Sequence, residues 1–547
     1  MLMARVLRGI PRNLRGGARG ILRVHTQAGD FRRPWLTGLL TAGVVIGSYA
    51  GYTLSRPVHL DSADGKVPKP SKAAPGYISY EEIKKHNTRE SCWVIIDGQV
   101  YDATSVLEWH PGGAAVILKN AGKDATKVFV PVHPPNTLQS LPMEAHIGPV
   151  DPATMPEDVN QPTEEEIRIA EAREKLPPPS AAINLHDIEI LAEKVLTRTA
   201  WAYYRSTADD EATYLENSSA FRRFWFRPRV MNKISQISTT TTLFGLPSSL
   251  PVFICPAALY RLGHPDGEMN AVRAAGQEGI IKSISNNASC STEECMSAKL
   301  PGQDLVFQLY LNKDRAASEV LIKKIEAQGF KAIMLTVDAA VPGKRELDQR
   351  AKDEDLKEMP SASGNSGSSG MGVSHAISGY QDPDILWEDI PWLRRRTKLP
   401  IIIKGIQCVE DAEKALEEYG VRAIILSNHG GRELDFSPAP MTVLYELYQQ
   451  RPDLLKKHEV YIDGGVRRGT DVLKALCLGA RGVGLGRPFL YGNGVWGEEG
   501  CRRVIHIMRE EIETGMRLLG VTSLDQLRPE LLSYMDKRLG QERARRS

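Results

Sequence analysis

The residues best suited to chemistry in this sequence are a histidine, an aspartate and an arginine. His429 and Arg432 share one short loop, and Asp338 ends a separate apolar run. A histidine can take a proton near neutral pH, an arginine can bind a carboxylate through forked hydrogen bonds, and an aspartate can orient the imidazole. This set of candidate residues is completed by Tyr203, Tyr310 and Arg345. A simple turn would explain the histidine loop alone, but the whole set indicates a site that handles a proton and a carboxylate.

Eight short apolar runs with β-forming residues must position these side chains. They cover residues 252–256, 281–285, 306–310, 332–338, 401–406, 423–428, 460–464 and 482–488. Helical patterns separate most of them, as at 411–419 and 469–478. Strands that alternate with helices imply a parallel sheet, and eight repeats predict a (β/α)₈ barrel, with a doubly wound sheet as the alternative. A barrel carries its chemistry at the C-terminal ends of its strands, which is where the polar residues of these runs fall.

Two loops rich in glycine and arginine predict a phosphate site. They follow the last two runs, at 463–469 and 486–488. Glycine amides and helix N-termini suit a dianion, and Arg467 and Arg487 can add charge-assisted contacts. The alternative, that these glycines only turn the chain, leaves the paired arginines unexplained.

Residues 183–535 resemble the FMN-dependent L-2-hydroxy acid oxidising family throughout. The matching motifs lie at 201–204, 308–310, 335–338, 403–405, 427–432, 463–469 and 486–488. The resemblance implies an FMN site formed by Ala258, Ser285, Gln308, Thr336, Lys404, Asp463, Gly465, Arg467, Gly486 and Arg487. Within that site, Lys404 would stabilise the reduced flavin ring.

The same resemblance implies the catalytic roles. His429 would be the base, oriented by Asp338. The substrate would be bound by Tyr203, Tyr310, Arg345, Arg432 and Asn287. Asn287 stands where lactate-oxidising members carry leucine, so a 2-hydroxy acid other than lactate is an open alternative.

Residues 77–150 contain a second candidate site, formed by His110 and His133. Each histidine precedes a proline, and His110 opens the motif His-Pro-Gly-Gly. A histidine pair by itself is more often structural than metal-binding. The whole stretch, however, resembles the cytochrome b5 family, which implies that His110 and His133 are the two axial ligands of a b-type haem. An iron with two strong protein ligands has no open position, so its expected task is one-electron transfer.

Composition excludes some classes of function. The formal net charge of +2 over 547 residues gives no case for nucleic-acid binding. The seven cysteines form no Cys-x-x-Cys pair, so neither a disulfide framework nor a zinc site is indicated.

The N-terminal region reads as a targeting sequence. Residues 1–33 are rich in arginine and have no acid before Asp30, which is typical of a mitochondrial presequence, with a secretory leader as the alternative. The uncharged run 34–54 would span about 31 Å as a helix and predicts a sorting or transmembrane segment. The expected location is the mitochondrial intermembrane space. Linkers are predicted at 55–76 and, as a hinge, at 151–182, with a basic tail at 536–547.

A haem domain in front of an FMN barrel is similar to the flavocytochrome b2 family. That implies oxidation of an L-2-hydroxy acid, above all L-lactate to pyruvate, with cytochrome c as the electron acceptor and a homotetramer as the assembly. Two alternatives remain open on the residues alone: an oxidase that makes hydrogen peroxide, and a haem electron carrier on an inert barrel.

Overall fold

The computed structural model describes residues 76–110, 114–134, 137–156, 161–357 and 373–535. All of these belong to one compact unit, Lys69–Ser547. The predicted presequence, the hydrophobic segment 34–54, nearly all of the linker 55–76 and the basic tail lie outside the described residues. Within the described ranges, none of the helices combines the length and apolarity needed to cross a membrane.

Residues 76–151 form a small α+β domain. Its helices are α1 (Tyr80–Ile83), α2 (Ala114–Lys119) and α3 (Thr126–Phe129), and its strands are β1 (Trp93–Ile96), β2 (Gln99–Asp102) and β3 (His146–Pro149). The strands pair antiparallel in the order β1-β2-β3. Because side chains alternate along a strand, Val94 and Ile96 enter one apolar cluster and Ile95 enters another on the opposite face.

The segment after this domain contains α4 (Glu164–Glu174), which starts at a capping box on Thr163. Arg168 donates hydrogen bonds to the carbonyls of Lys194 and Leu196, and Arg173 donates to the carbonyl of Gly494. These contacts fasten α4 to the larger domain. The part of the predicted hinge 151–182 that forms α4 is therefore held against the larger domain.

The larger domain is built on a closed barrel of eight parallel strands. The strands are β7 (Val252–Ile254), β8 (Ile281–Ile284), β9 (Leu305–Leu309), β10 (Ile333–Thr336), β11 (Ile401–Ile406), β12 (Ala423–Leu426), β13 (Glu459–Asp463) and β14 (Gly482–Leu485). The closed barrel confirms the predicted fold and shows that the doubly wound alternative is wrong.

Helices surround the barrel, and two short antiparallel strand pairs accompany it. The helices are α5 (Leu185–Val195), α6 (Arg198–Arg205), α7 (Ala212–Ser219), α8 (Glu268–Glu278), α9 (Thr292–Ala298), α10 (Arg315–Gln328), α11 (Glu346–Lys357), α12 (Val373–Ala376), α13 (Asp389–Arg394), α14 (Val409–Glu413), α15 (Pro440–Gln450), α16 (Pro452–Lys457), α17 (Gly469–Cys477) and α18 (Arg487–Leu519). The short strands are β4 (Phe224–Phe226), β5 (Thr241–Leu243), β6 (Leu246–Ser248) and β15 (Leu532–Tyr534), paired as β5–β6 and β4–β15.

The hairpin β5–β6 covers the N-terminal end of the barrel. Its Leu243 and Phe244 pack into an inner apolar cluster with Phe253 and Tyr461. The amide of Phe244 also donates a hydrogen bond of 2.7 Å to the Tyr461 hydroxyl. This apolar plug leaves the C-terminal end of the strands as the end where a polar site can form.

Candidate active site and haem site

A cavity of about 400 Å³ opens at the C-terminal ends of the barrel strands. Its lining includes every predicted FMN residue: Ala258, Ser285, Gln308, Thr336, Lys404, Asp463, Gly465, Arg467, Gly486 and Arg487. It also includes the predicted substrate residues Tyr203, Asn287, Tyr310, Arg345 and Arg432, together with His429. Asp338 lies behind His429, with its side chain fully buried. The structure therefore gathers the whole predicted set at one place.

His429 and Asp338 form a directed pair. The Nδ1 atom of His429 is 2.8 Å from Oδ1 of Asp338. The backbone of His429 is left-handed, with φ of 55°, and its amide donates to the Ser427 hydroxyl at 3.1 Å. An ionised Asp338 can only accept, so Nδ1 carries the hydrogen and Nε2 is the nitrogen left to take a proton. This geometry suits a general base.

Lys404 lies between Asp338 and Asp463, the residue that ends β13 before the predicted phosphate loop. Its Nζ lies 3.4 Å from Asp338, 3.6 Å from Asp463 and 2.9 Å from the Ser427 hydroxyl. Burial disfavours both charges, but Lys404 and then His429 hold the pKa of Asp338 well below its usual range. In return, the two carboxylates outweigh burial and raise the pKa of Lys404. A permanent positive charge is thus held at the cavity wall.

Arg432 carries the charge that could bind a substrate carboxylate. Its guanidinium donates to the Tyr203 carbonyl and lies 4.9 Å from the centre of the Tyr203 ring. Its Nε is buried and has no hydrogen-bond partner among the described residues. Burial and then the charge of Arg345 lower the pKa of Arg432 to about 10. A bound anion would satisfy the free donor and relieve this unfavourable positive potential.

Arg345 lines the cavity but is held by the protein. Its Nε donates to the Arg432 carbonyl at 3.1 Å, and its Nη2 pairs with the Glu433 carboxylate. These bonds brace the loop that carries Arg432. A direct contact of Arg345 with substrate or flavin stays a prediction.

The two tyrosines are suited to donate hydrogen bonds. Burial raises the pKa of Tyr203, and it raises that of Tyr310 well above the usual value, with Asp338 adding to the effect at Tyr310. Both phenols therefore keep their protons at neutral pH. Each can donate to a carboxylate or to a hydroxyl oxygen in the cavity.

Two unsatisfied polar atoms fit the predicted flavin ring. Gln308 Nε2 and Thr336 Oγ1 are buried without a hydrogen-bond partner in the described residues, and both residues line the cavity. Gln308 is oriented by its Oε1, which accepts from the Ser285 hydroxyl at 3.1 Å. An unpaired buried polar group costs about 1–3 kcal/mol, so a bound group with its own donors and acceptors would stabilise this wall. The residues present fit FMN.

The predicted phosphate end is close-packed. A Cβ added at Gly465 would lie 2.1 Å from the Asn217 carbonyl oxygen, so only glycine fits there. Arg467 pairs with Glu189 of α5, and Arg487 donates to three backbone carbonyls, those of Tyr204, Ser206 and Gly430. Both arginines are thus anchored by protein groups, and their contacts with a phosphate stay predictions.

Asn287 is also engaged by a residue that the sequence did not single out. Its Oδ1 accepts from the Tyr380 hydroxyl at 2.7 Å, and the neighbouring Asn286 donates from Nδ2 to the same hydroxyl at 2.8 Å. Oδ1 of Asn287 is held by this bond, and Asn287 contributes its polar side-chain amide to the lining of the cavity. The pocket wall at this position is polar.

Four functional partners were missed from the sequence: Glu189, Tyr380, Ser427 and Glu433. Glu189 and Tyr380 lie far along the chain from the residues they bind, so no local pattern could reveal them. Ser427 and Glu433 flank the histidine–arginine loop, and their place beside two candidate catalytic residues was a usable indication.

The smaller domain brings the rings of its two predicted haem ligands close together. The ring centres of His110 and His133 are 6.0 Å apart. One metal ion with two nitrogen bonds of about 2.0 Å, plus two ring radii, requires about 6 Å. His133 Nδ1 bonds to the Phe129 carbonyl at 3.0 Å, which leaves Nε2 for the iron, and burial lowers the pKa of His133, which favours the neutral ligand form.

The surroundings of these histidines also fit a flat apolar group. The residues of α2 and α3 are rich in apolar side chains, yet none of them is fully buried. Ile117, Leu118 and Phe129 are only partly buried against the core. Partly buried apolar side chains beside two histidines fit a haem ring, which would cover them.

The buried Asp338 predicts a pH effect on stability. Its pKa in the folded protein lies below that of the unfolded chain, so its ionisation stabilises the fold fully above the ordinary aspartate pKa of about 4, and this contribution is lost as the pH falls further. When the pH is lowered from 6 to 3, the free energy of unfolding should therefore fall less in the Asp338→Asn variant than in the unchanged protein. Denaturant unfolding at both pH values measures this, with exposed Asp384→Asn as the control. An equal loss in Asp338→Asn and the unchanged protein would contradict the assignment.

Comparison with known families identifies both domains. The FMN-dependent dehydrogenase model matches residues 192–534, and the cytochrome b5-like haem/steroid-binding domain model matches residues 79–151. The chain is similar to L-lactate dehydrogenase (cytochrome) of Wickerhamomyces anomalus, with 44% identity over 83% of this chain and 79% of the relative. It is similar to the protein of the same description from Saccharomyces cerevisiae, with 46% identity over the same shares.

A solved structure shows the same architecture. A mutant flavocytochrome b2 with pyruvate bound aligns with a TM-score of 0.62 and 45% identity, over 68% of this chain and 92% of that chain. FMN and haem are accordingly the cofactors of the two domains. The chain belongs to the FMN-dependent dehydrogenase family, as a member whose barrel follows a cytochrome b5-like haem domain.

Proposed function

We propose that this protein oxidises a small L-2-hydroxy acid, with L-lactate as the first candidate, and passes the electrons through b-type haem to cytochrome c. The observation that carries the proposal is one cavity that holds both the His429–Asp338 pair and the Arg432 charge. A second domain, in which two histidine rings lie 6.0 Å apart, supplies a route for single electrons. The names of the two yeast relatives support lactate and a cytochrome acceptor.

The residues divide the work as follows. Arg432 and Tyr203 bind the substrate carboxylate, and Tyr310 donates to the substrate oxygen. His429 takes a proton at Nε2, and the carboxylate of Asp338 stabilises the imidazolium that forms. FMN held by the cavity residues would supply a two-electron acceptor, and haem held by His110 and His133 would supply one-electron transfer. Lys404 holds a positive charge beside the acceptor throughout, because Asp338 and Asp463 fix its protonation.

His429→Gln tests the proposed reaction. The protein with L-lactate should reduce cytochrome c, and the variant should lose about a thousandfold of that rate because the general base is gone, while it keeps its FMN. Steady-state cytochrome c reduction and FMN absorbance measure both. Rapid peroxide formation without haem reduction would favour the oxidase alternative. Unchanged turnover of His429→Gln would remove the histidine from the mechanism, and absence of any turnover in the unchanged protein would indicate an inert barrel.

His110→Ala separates the two domains. Loss of one axial ligand should abolish the b-type haem spectrum and the reduction of cytochrome c. The barrel keeps all its described contacts, so turnover with an artificial two-electron acceptor should remain within about twofold of the unchanged protein. Loss of both activities would show that the domains do not work separately.

A second candidate substrate class follows from the Asn287–Tyr380 pair. A polar wall suits a 2-hydroxy acid whose side chain carries a hydroxyl, and apolar leucine would suit lactate. Asn287→Leu should therefore shift the ratio of kcat/KM for L-lactate over L-glycerate upwards by about tenfold. Tyr380→Phe, which removes only the hydroxyl that orients Asn287, should shift it in the same direction by less. An unchanged ratio in both variants would exclude this wall as a specificity element.

Location and assembly extend the proposal. We infer that the arginine-rich segment 1–33 directs the chain to mitochondria and that 34–54 sorts it to the intermembrane space, either as a cleaved signal or as an anchor in the inner membrane. The resemblance to the flavocytochrome b2 family supports a homotetramer. Subfractionation of mitochondria and light scattering of the purified protein test these two points, and a matrix location or a monomer would contradict them.

A further inference from the structure

Glu433 is a buried carboxylate beside the substrate arginine that the proposed reaction does not use. Its side chain is 10% exposed and lines the cavity. Its Oε2 accepts from the Gly343 amide at 2.6 Å, and its Oε1 pairs with Arg345. The carboxylate therefore has two donors from the loop after β10 while it stands in the loop after β12.

These bonds lie at a close approach of the two loops. A Cβ on Gly343 would be 2.5 Å from the carbonyl oxygens of both Arg432 and Glu433. Arg345 Nε adds a bond to the Arg432 carbonyl. Since the packing admits no side chain at Gly343, the position of Glu433 relative to Arg345 and Arg432 is fixed by the backbone.

The charged side chains around Glu433 shift the pKa of Arg432 in opposite directions. Arg345 and Arg487 both lower the pKa of Arg432, while Glu433 opposes them. Burial acts to lower the pKa of Arg345, and the carboxylate of Glu433 is the largest of the influences that raise it overall. Asp348 also raises the pKa of Arg345; it is buried and accepts a hydrogen bond from the Ser374 amide. Among these carboxylates, Glu433 is the one in the cavity wall that pairs directly with an arginine.

We propose that Glu433 determines the charge of the ligand that the site accepts. Its carboxylate offsets the charge of Arg345, so that Arg432 faces the cavity as a site for one carboxylate and a second anionic group on the ligand is disfavoured. This inference rests on the proposed function, because it treats Arg432 as the group that binds the substrate carboxylate. It makes Glu433 a specificity-determining residue, acting by charge and not by contact with the reacting atoms.

Glu433→Gln tests the role of charge with a matched pair of ligands. Oxamate and oxalate have nearly the same size and shape, but oxamate has one negative charge and oxalate has two at neutral pH. Their dissociation constants are measured by calorimetry on the FMN-loaded protein. Removal of the buried negative charge should shift the ratio of affinities towards oxalate by about tenfold, because the added attraction scales with ligand charge.

Two control variants separate charge from structure. Glu433→Asp keeps the charge on a shorter side chain, so the oxalate/oxamate ratio should stay near that of the unchanged protein even if both affinities fall. Glu346→Gln removes a carboxylate at the start of α11, next to Arg345 in the chain; this side chain is 34% exposed and pairs with Lys344 and Arg350. Solvent screens that charge, so its ratio should change by less than about twofold.

The outcomes are decisive in both directions. An equal change of both affinities in Glu433→Gln, a shift of the ratio in Glu433→Asp, or a Glu433→Gln protein without FMN would overturn the proposal in favour of a structural role. If neither oxamate nor oxalate competes with any 2-hydroxy acid for the unchanged protein, the result contradicts the proposed function itself. If it oxidises the acid but the ratio does not move, only the role of Glu433 fails.

Discussion

The ion cluster of Lys404 with Asp338 and Asp463 is the interaction on which the active site depends. All three side chains are almost fully buried, at the ends of β10, β11 and β13. Buried charges are stable only when they are paired, so each strand end must hold its residue in place for the other two. The closed barrel provides that constraint, since neighbouring parallel strands bring their C-terminal ends together. His429 is hydrogen-bonded to Asp338, so the cluster also fixes the orientation of the His429 ring.

The cavity is arranged as regions of opposite electrostatic character. Around Lys404 two carboxylates outnumber one lysine, whereas around Arg432 the arginines dominate and the buried Arg432 Nε has no hydrogen-bond partner among the described residues. A proton acceptor therefore lies beside a site that attracts an anion. This contrast directs a carboxylic acid to bind in one orientation, with its acid group at Arg432 and its reacting carbon towards His429. Tyr203 and Tyr310 stay protonated and complete the set of donors.

Much of this could be predicted from sequence, because strand ends of a barrel are marked by a change from apolar to polar residues. That change located Asp338, Lys404 and His429. The haem site at His110 and His133 was instead located by the resemblance of residues 77–150 to the cytochrome b5 family. The pairs Arg467–Glu189, Asn287–Tyr380 and Arg345–Glu433 could not be predicted, since each joins residues on separate loops or helices whose proximity only the closed barrel creates. The docking of α4 was missed for the same reason: its polar, acidic sequence is typical of a linker, yet Arg168 and Arg173 bind carbonyls far along the chain.

The central claim is that electrons pass from a hydroxy acid at His429 to the haem between His110 and His133. The most direct measurement is anaerobic mixing of the purified protein with L-lactate, with flavin and haem absorbance followed together. The account predicts that flavin absorbance bleaches first and that the bands of reduced haem then grow at the expense of the reduced flavin. Flavin bleaching with no haem reduction would contradict the electron route. If neither signal changes with L-lactate or with any other L-2-hydroxy acid, the assignment of the barrel cavity is wrong.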